Sequence, residues 1–211
     1  MPDLEKLHEA VLQGDWKTAA AVTKDAIADG VAPLTIVTGC LVPAMDEVGR
    51  RFDCEEYFVP EMLLSARAMK ASMAIIRPLL AASGAQPIGR VVIGTVKGDL
   101  HDIGKNLVAS MLEGGGFEVI DLGADVPPER FIDAASARNA NLVALSALLT
   151  VTMTSMKTTI DAFRAAGLRE KVKIMVGGAP VTQQYADAIG ADGFGDSAGA
   201  AVALARRLVA V

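Results

Sequence analysis

The sequence is poor in the residues that mark several common kinds of site. Its 211 residues include two cysteines, two histidines and one tryptophan, and aromatic residues make up 4% of the chain. Cys40 and Cys54 belong to no C-x-x-C pair and no Cys/His cluster. We therefore expect both to be small buried hydrophobic side chains rather than parts of a disulfide or a zinc site.

Basic residues and long apolar runs are also scarce. Twenty Lys and Arg against 25 Asp and Glu give a net charge of −5, and the basic residues form no patch, which argues against nucleic acid as a partner. No apolar run reaches the ~18 residues that a membrane helix needs, and the first residues lack the basic-then-apolar pattern of a signal peptide. We expect a cytoplasmic protein with no membrane partner.

The first part of the chain has a purely helical pattern. Apolar residues recur three and four positions apart from about residue 4 to residue 80, with breaks at Gly14, at Gly30 and at residues 53–56. This pattern predicts a four-helix bundle over residues 1–83. Small and turn-forming residues follow, and they predict a linker at 84–89.

The second part of the chain, residues 90–211, alternates short apolar runs with helical patterns. Such alternation predicts an α/β domain with a parallel sheet, helices on both faces and ligands at the carboxyl ends of the strands, as in flavodoxin-like and Rossmann-type folds. Five strands are expected, at residues 91–96, 118–122, 142–145, 172–176 and 193–194.

Polar residues and glycines follow three of these strands. His101 and its neighbours, Asp99-Leu100-His101-Asp102-Ile103-Gly104, come after the first strand. Ser146 and Thr150 come after the third, and Gly177-Gly178 after the fourth. Because the carboxyl ends of parallel strands share one edge of a sheet, we expect the three segments to converge.

Nucleotide sites are not indicated. Gly98, Gly104 and Lys105 suggest a phosphate loop, but the glycines are one residue too far apart, and Asn106 stands where Ser or Thr would bind magnesium. No G-x-G-x-x-G follows the first strand, so the dinucleotide fingerprint is missing as well.

A hydrolase is conceivable because Ser146, His101 and Asp99 could meet at the sheet edge. A serine nucleophile in such a fold would lie in G-x-S-x-G, whereas Ser146 is flanked by Leu145 and Ala147. The sequence therefore does not favour a catalytic triad.

His101 has two remaining interpretations. It could be a loop histidine that is bonded to Asp99 and adds local stability. It could also be a metal ligand, because a carboxylate on the second ring nitrogen fixes the tautomer and raises ligand basicity. A single histidine cannot hold a bare zinc ion, which needs three or four protein ligands. A metal here would arrive already chelated, as in a macrocycle, and glycines would let backbone approach such a ligand closely.

The motif residues resemble a known family. Asp99-x-His101-x-x-Gly104, then Ser146-x-Leu148, then Gly177-Gly178 resembles the cobalamin-binding domain of methionine synthase and of corrinoid methyl-carrier proteins. Residues 48–52 and 57–62 resemble the helical cap domain of the same proteins. The resemblance covers nearly the whole chain.

The resemblance implies cobalamin, as methylcobalamin, cob(I)alamin or a related corrinoid, bound with its own base displaced. His101 would be the lower ligand of the cobalt, with Asp99 bonded to its other nitrogen and Thr152 continuing the relay. Protonation of the Asp99–His101 pair would favour the Co(I) form. Further implied cofactor contacts are Gly98, Leu100, Asp102, Ile103, Gly104, Ser146, Leu148, Thr150, Gly177 and Gly178. Asp102 would either cap the following helix or bond the corrin rim.

The cap resemblance implies that Phe52, Val59 and Met62 cover the methyl group. Such residues also occur as ordinary bundle core, and this alternative stays open. Because a cap over the cobalt blocks access, the resemblance also implies a cap movement, with Gly84 in the linker as the hinge.

The implied function is that of a methyl carrier. A substrate:corrinoid methyltransferase would load the methyl group, a corrinoid:tetrahydrofolate or thiol methyltransferase would remove it, and a reductive activator would maintain the cobalt. The chain would select no substrate itself, and the donor could be methanol, a methylamine, glycine betaine or, in an O-demethylase system, an aryl methyl ether. Two alternatives remain, namely the cobalamin-binding subunit of an adenosylcobalamin mutase and a cobalamin-based sensor.

Overall fold

A computed structural model of the chain describes residues 3–82 and 87–210. The described residues divide into two compact units, one comprising the chain up to Pro87 together with Glu113–Gly116, the other Ile88–Leu112 and the chain from Phe117 onward. Residues 84–86 of the predicted linker, including the hinge expected at Gly84, lie outside the described residues.

The first unit is helical, as the apolar spacing predicts. Asp15 begins the second helix, where its carboxylate accepts the backbone N–H groups of Lys17 and Thr18 at 3.2 and 3.1 Å. The third helical stretch runs continuously through a π-helical turn at Val37–Leu41. The helices are α1 (Leu4–Leu12), α2 (Trp16–Ala28), α3 (Pro33–Ile36), α4 (Val42–Asp53) and α5 (Val59–Ala82).

The two cysteines have different environments. Cys40 is buried, and burial raises the pKa of its thiol to about 11. Cys54 is exposed, so the expectation that both side chains are buried is wrong for this residue. The physical reason is local, since α4 ends at Asp53 and Cys54 is the first residue beyond it, in the turn that leads to α5.

The second unit contains the predicted parallel sheet. All five strands are confirmed within one or two residues, and their order in the sheet is β2-β1-β3-β4-β5, with every described pairing parallel. The strands are β1 (Arg90–Thr95), β2 (Glu118–Asp121), β3 (Leu142–Ser146), β4 (Lys173–Gly177) and β5 (Gly193–Gly195). The helices between and after them are α6 (Ile103–Gly114), α7 (Pro128–Ala137), α8 (Thr154–Ala165), α9 (Gln183–Ile189) and α10 (Ala198–Val209).

The strand order places a ligand position at the end of β1. β2 pairs with one edge of β1, and β3, the next strand in the chain, pairs with the other edge. The direction in which strands are added to the sheet therefore reverses at β1. Ligands of open α/β sheets bind at such a switch point, beyond the carboxyl ends of the strands. Register aligns Thr95 with Ser146 and Ser146 with Gly177, so β1, β3 and β4 end at one level.

An ion pair with a buried lysine joins the start of α6 to the end of β2. Lys105 donates to Asp121 Oδ1 and to Asn106 Oδ1, both at 2.6 Å. The two charged side chains are unequally buried, because that of Lys105 is 1% exposed and that of Asp121 is 37% exposed. Lys105 is therefore a structural cation that links two neighbouring elements rather than a phosphate ligand.

This asymmetry predicts unequal effects of removing each partner. Asp121→Asn leaves an ammonium buried without its counter-charge and should lower the free energy of unfolding by about 3 kcal/mol. Lys105→Met fills the same space with apolar atoms and leaves a partly solvated carboxylate, so the loss should stay below about 1 kcal/mol. Urea unfolding of the two variants measures the difference, and an equal loss in both would contradict this description of the pair.

Candidate cofactor site at the carboxyl edge of the sheet

The segment after β1 begins with a tight turn. The backbone N–H of Asp99 donates to the carbonyl of Val96 at 3.1 Å, and Gly98, the third residue of this turn, has a φ of +88°. Turns of type II need a left-handed residue at this position, which favours glycine. Beyond the turn, the Thr95 hydroxyl donates to the carbonyl of His101 at 3.0 Å and holds the motif against the end of the strand.

The Asp99 carboxylate is the centre of a hydrogen-bond cluster. Its side chain is fully buried. Oδ1 lies 2.8 Å from His101 Nδ1 and accepts the His101 backbone N–H at 3.0 Å. Oδ2 accepts the Thr152 hydroxyl at 2.6 Å and the backbone N–H groups of Leu148 and Leu149 at 2.8 and 3.3 Å. The carboxylate thus ties the β1–α6 segment to the segment after β3.

These donors keep Asp99 ionised. Burial by itself would raise the pKa of the carboxyl, but the hydrogen bonds from Thr152 and from the backbone of His101 and Leu148 outweigh it. Together they hold the pKa well below its usual range. A carboxylate only accepts hydrogen bonds, so Nδ1 of His101 must carry the proton of the 2.8 Å contact. In the neutral imidazole, Nε2 then carries the lone pair.

His101 presents that nitrogen at an open position. Its side chain is 50% exposed, and in the described part of the chain no hydrogen bond engages Nε2. The imidazole is therefore oriented on one side and available on the other, which is the arrangement of a metal-ligating histidine. Residues 3–82 and 87–210 contain no group of three or more His, Cys, Asp or Glu side chains that could hold a bare ion.

Exposed apolar side chains lie close to His101 in the chain and in the segment after β3. Leu100, Ile103 and Val151 are each about three-quarters exposed, at 76%, 73% and 74%. Leu148 and Leu149, whose N–H groups bond Asp99, are 43% and 42% exposed. Exposed apolar surface of this kind marks a binding site. A flat ligand with apolar faces, such as a corrin, fits this surface.

Gly104 is a second sign of a ligand. It lies in the first turn of α6, where glycine weakens a helix. A Cβ at this position would meet no protein atom within 4 Å, so the packing of the chain itself does not demand glycine there. The space at this position is open, so another molecule can approach the backbone closely here.

Ser146, Thr150, Gly177 and Gly178 lie at the ends of β3 and β4, as predicted. Ser146 is half-buried at the last position of β3, and Thr150 is exposed in the turn beyond it. Gly177 ends β4 and its carbonyl accepts the N–H of Ala147 at 3.2 Å. The structure brings these segments to the same edge as His101, and their cofactor contacts remain a prediction.

Gly178 is required by a close approach of two loops. Its φ is +127°, and a Cβ built on it would lie 1.9 Å from the carbonyl oxygen of Ala147. Gly178→Ala should therefore push the loop after β4 away from the loop after β3 and lower the free energy of unfolding by about 3 kcal/mol. Gly167→Ala is a matched control, because Gly167 is also left-handed, at +68°, but has open space. Thermal or urea unfolding compares them, and an equal effect of both substitutions would contradict the contact.

The residues expected above the cofactor lie in the helical unit. Met62, on α5, is fully buried, while Phe52 on α4 and Val59 at the start of α5 are partly buried. Their placement over a methyl group remains a prediction. Asp102 directly precedes α6, and its carbonyl accepts the N–H of Asn106 at 2.8 Å. Its contact with a corrin is equally a prediction.

The structure adds residues that the sequence patterns do not reveal. Leu149 contributes a backbone N–H to Asp99, and Asp125 contacts the Gly98–Asp99 segment from the loop after β2. Backbone donors carry no sequence signal. For Asp125 the one available signal was its position after the second strand, at the same sheet edge as the motif.

The chain is similar to known B12-binding and corrinoid proteins. Two family models, each described as a B12 binding domain, match residues 89–205 and 3–77. The dimethylamine corrinoid protein of Methanosarcina barkeri is 43% identical over 209 residues, covering 98% of this chain and 97% of that protein. The trimethylamine corrinoid protein 1 of Methanosarcina acetivorans is 42% identical over 197 residues, covering 92% and 91%.

Solved structures show the same similarity. A cobalamin-binding protein from Desulfitobacterium hafniense matches with a TM-score of 0.80 and 34% identity, covering 99% of both chains. A chain of the methanol:cobalamin methyltransferase complex MtaBC from Methanosarcina barkeri matches with a TM-score of 0.86 and 29% identity, over 98% of this chain and 79% of that one. The helical unit and the parallel sheet of this chain thus have the fold of corrinoid-binding proteins. The chain belongs to the B12-binding corrinoid proteins.

The described residues also bear on a membrane location. No helix among them is long and apolar enough to cross a bilayer.

Proposed function

We propose that the chain carries a methyl group on a bound corrinoid between two methyltransferases, one specific for the methyl donor and one for the acceptor. The observation that supports this most strongly is the His101 imidazole, anchored through Nδ1 to a buried carboxylate and open at Nε2. When bound, the corrinoid supplies a cobalt centre that can accept and give up a methyl group.

The residues of the sheet edge have separate tasks in this proposal. His101 Nε2 would bind the cobalt, and Asp99 would keep the ring in the tautomer that leaves Nε2 free to do so. The exposed leucines and Ile103 would contact the apolar surface of the corrinoid and exclude water from it. Gly104, where a Cβ would meet open space, would leave room for the macrocycle.

Asp99 also decides where a proton is held. Because its hydrogen bonds keep the carboxyl ionised, the proton of the Asp99–His101 contact is held on Nδ1 of the imidazole. Thr152 stabilises the carboxylate through its 2.6 Å bond. Asp99 would thus keep the same charge whether or not His101 binds a metal.

The relatives suggest the class of methyl donor. Two are named for dimethylamine and trimethylamine, and the MtaBC complex acts on methanol. Of these donors we propose a methylamine, with the methyl group passing to tetrahydrofolate or a thiol through a second methyltransferase, and with a reductive activator as a further partner.

The test of this function is methyl uptake by the reconstituted chain. Purified protein is loaded with hydroxocobalamin, separated from free cofactor, reduced, and given mono-, di- or trimethylamine together with the matching methyltransferase. Methyl-loaded cofactor should form on the chain with one of the amines and should not form with heat-denatured methyltransferase. A chain that binds no cobalamin, or that binds it and takes up no methyl group from any of the three amines, would contradict the proposal.

A further inference from the structure

One residue outside the motif reaches the backbone of the axial-ligand segment. Asp125 lies in the loop between β2 and α7, and this loop runs beside the end of β1, where Val96 and Val126 form a parallel bridge. Asp125 has a φ of +54°. Few residues other than glycine adopt this conformation, although Asp and Asn tolerate it better than most.

Asp125 makes two contacts with adjacent residues of the turn after β1. Its Oδ1 accepts the backbone N–H of Gly98 at 2.7 Å. Its own backbone N–H donates to the carbonyl of Asp99 at 2.9 Å. The left-handed backbone allows one residue to meet both groups, and the short bond to a carboxylate is the charge-assisted kind, which is stronger than a neutral one.

A side chain of α8 bonds another backbone group of the same turn. The Ser155 hydroxyl donates to the carbonyl of Lys97 at 2.9 Å. Lys97, Gly98 and Asp99 thus each have a backbone group bonded to another loop or helix, in addition to the bond from Asp99 N–H to Val96 within the turn. A turn held at so many points fixes the direction in which the Asp99 side chain leaves the backbone.

We propose that Asp125 is a positioning residue for the axial histidine. It fixes the Gly98–Asp99 backbone so that the Asp99 carboxylate meets Nδ1 of His101 on one side and the Leu148 N–H on the other. The inference deepens the proposed function, because its consequence for cobalamin rests on His101 being the axial ligand. Its consequence for the cofactor-free protein does not.

The test compares Asp125→Gly with Asp125→Asn and with a control at Asn139. Glycine accepts the left-handed backbone, so Asp125→Gly removes the carboxylate without adding strain. Asparagine keeps an oxygen acceptor and the backbone preference but removes the charge. Asn139→Gly is matched, because Asn139 is also left-handed, at 48°, and follows α7 away from the turn after β1.

The first readout is amide hydrogen exchange in the cofactor-free protein. The probe is the Leu148 N–H, which donates to Asp99 and not to Asp125. In Asp125→Gly it should exchange about tenfold faster than in the wild-type chain, because the free energy lost with one charge-assisted hydrogen bond corresponds to about a tenfold change in an equilibrium constant. In Asp125→Asn the Leu148 N–H should exchange about threefold faster than in the wild-type chain, and in Asn139→Gly its exchange rate should be unaltered.

The second readout uses hydroxocobalamin as the probe. Asp125→Gly should bind it about tenfold more weakly, with a smaller histidine-ligated fraction in the absorption spectrum, and Asp125→Asn should recover most of that fraction.

Two results would overturn the positioning role. One is wild-type exchange at Leu148 in Asp125→Gly, even where its melting temperature is lower, because Asp125 then only stabilises its loop. The other is an equal change in Asn139→Gly. If Asp125→Gly does not fold, the test rests on Asp125→Asn. A wild-type exchange rate at Leu148 in that variant would then overturn the positioning role. A wild-type chain that binds no hydroxocobalamin contradicts the proposed function alone, and the exchange result still decides the role of Asp125.

Discussion

Replacing His101 with Ala should abolish the absorption change that the wild-type chain produces when it binds hydroxocobalamin. The imidazole is the one side chain of the cluster with an oriented and open ring nitrogen, and alanine offers the cobalt no ligand. The fold should survive, because the His101 side chain is half exposed and its backbone N–H still reaches Asp99 Oδ1. The free energy of unfolding should change by less than about 1 kcal/mol.

The chain contains its own control for this experiment. His8, the other histidine, lies on α1 in the helical unit. His8→Ala should give the wild-type spectrum, and added imidazole should restore a histidine-like spectrum to His101→Ala. A His101→Ala chain with the wild-type spectrum, or a His8→Ala chain without it, would show that another group ligates the metal.

Asp99→Asn should damage both the fold and the orientation of the histidine. Each carboxylate oxygen accepts at least two hydrogen bonds, so an amide NH₂ in either place faces donors. If it replaces Oδ2, the buried Leu148 N–H loses its partner. If it replaces Oδ1, His101 Nδ1 can pair with it only by giving up its proton, which moves the proton to Nε2 and blocks metal binding.

The expected size of this effect is large. Leaving buried donors unpaired should lower the free energy of unfolding by about 3 kcal/mol, and the loss of the orienting group should weaken hydroxocobalamin binding by about tenfold to a hundredfold. Thr152→Ser is the control, since it keeps the hydroxyl that donates to Asp99. Urea unfolding and a binding titration compare the variants. An Asp99→Asn chain as stable and as tight-binding as Thr152→Ser would contradict the role of the carboxylate.

The same carboxylate predicts a dependence on pH. Its folded pKa is lowered below the unfolded value of about 3.9. Its contribution to stability is therefore present above the unfolded pKa and is lost as the pH falls towards the folded pKa. Urea unfolding at a series of pH values should show a higher free energy of unfolding for the wild-type chain than for Asp99→Asn at neutral pH. This difference should become smaller in acid.

The sequence predicts the sheet because strand signals are local. The runs at residues 91–96 and 142–145 are almost entirely apolar, as buried parallel strands are, and both are interior strands of the sheet. The meeting of Asp99, His101 and Thr152 could also be expected, since parallel strands end at one edge and the resemblance supplies the roles. Which Asp99 oxygen accepts from which donor could not be predicted, because several of the donors are backbone N–H groups, which every sequence has.

Two residues show where sequence patterns fail. Cys54 is expected to be buried because free cysteines usually are, but it lies in the predicted break at residues 53–56, one position beyond the end of α4, where its side chain is exposed. Asp125 looks like an ordinary loop aspartate. Its proposed role depends on its positive φ and on its contact with Gly98, which lies 27 residues earlier in the chain.

The central claim is that His101 supplies the axial nitrogen, and the most direct measurement is electron paramagnetic resonance of the bound, one-electron-reduced cofactor. The chain is prepared in the His8→Ala background with ¹⁵N-labelled histidine, so that His101 carries the label alone. The axial nitrogen splitting of the cobalt signal should change from the three-line pattern of ¹⁴N to the two-line pattern of ¹⁵N. A spectrum that keeps the ¹⁴N pattern would mean that the cofactor's own base or another residue is the ligand, and would contradict the account.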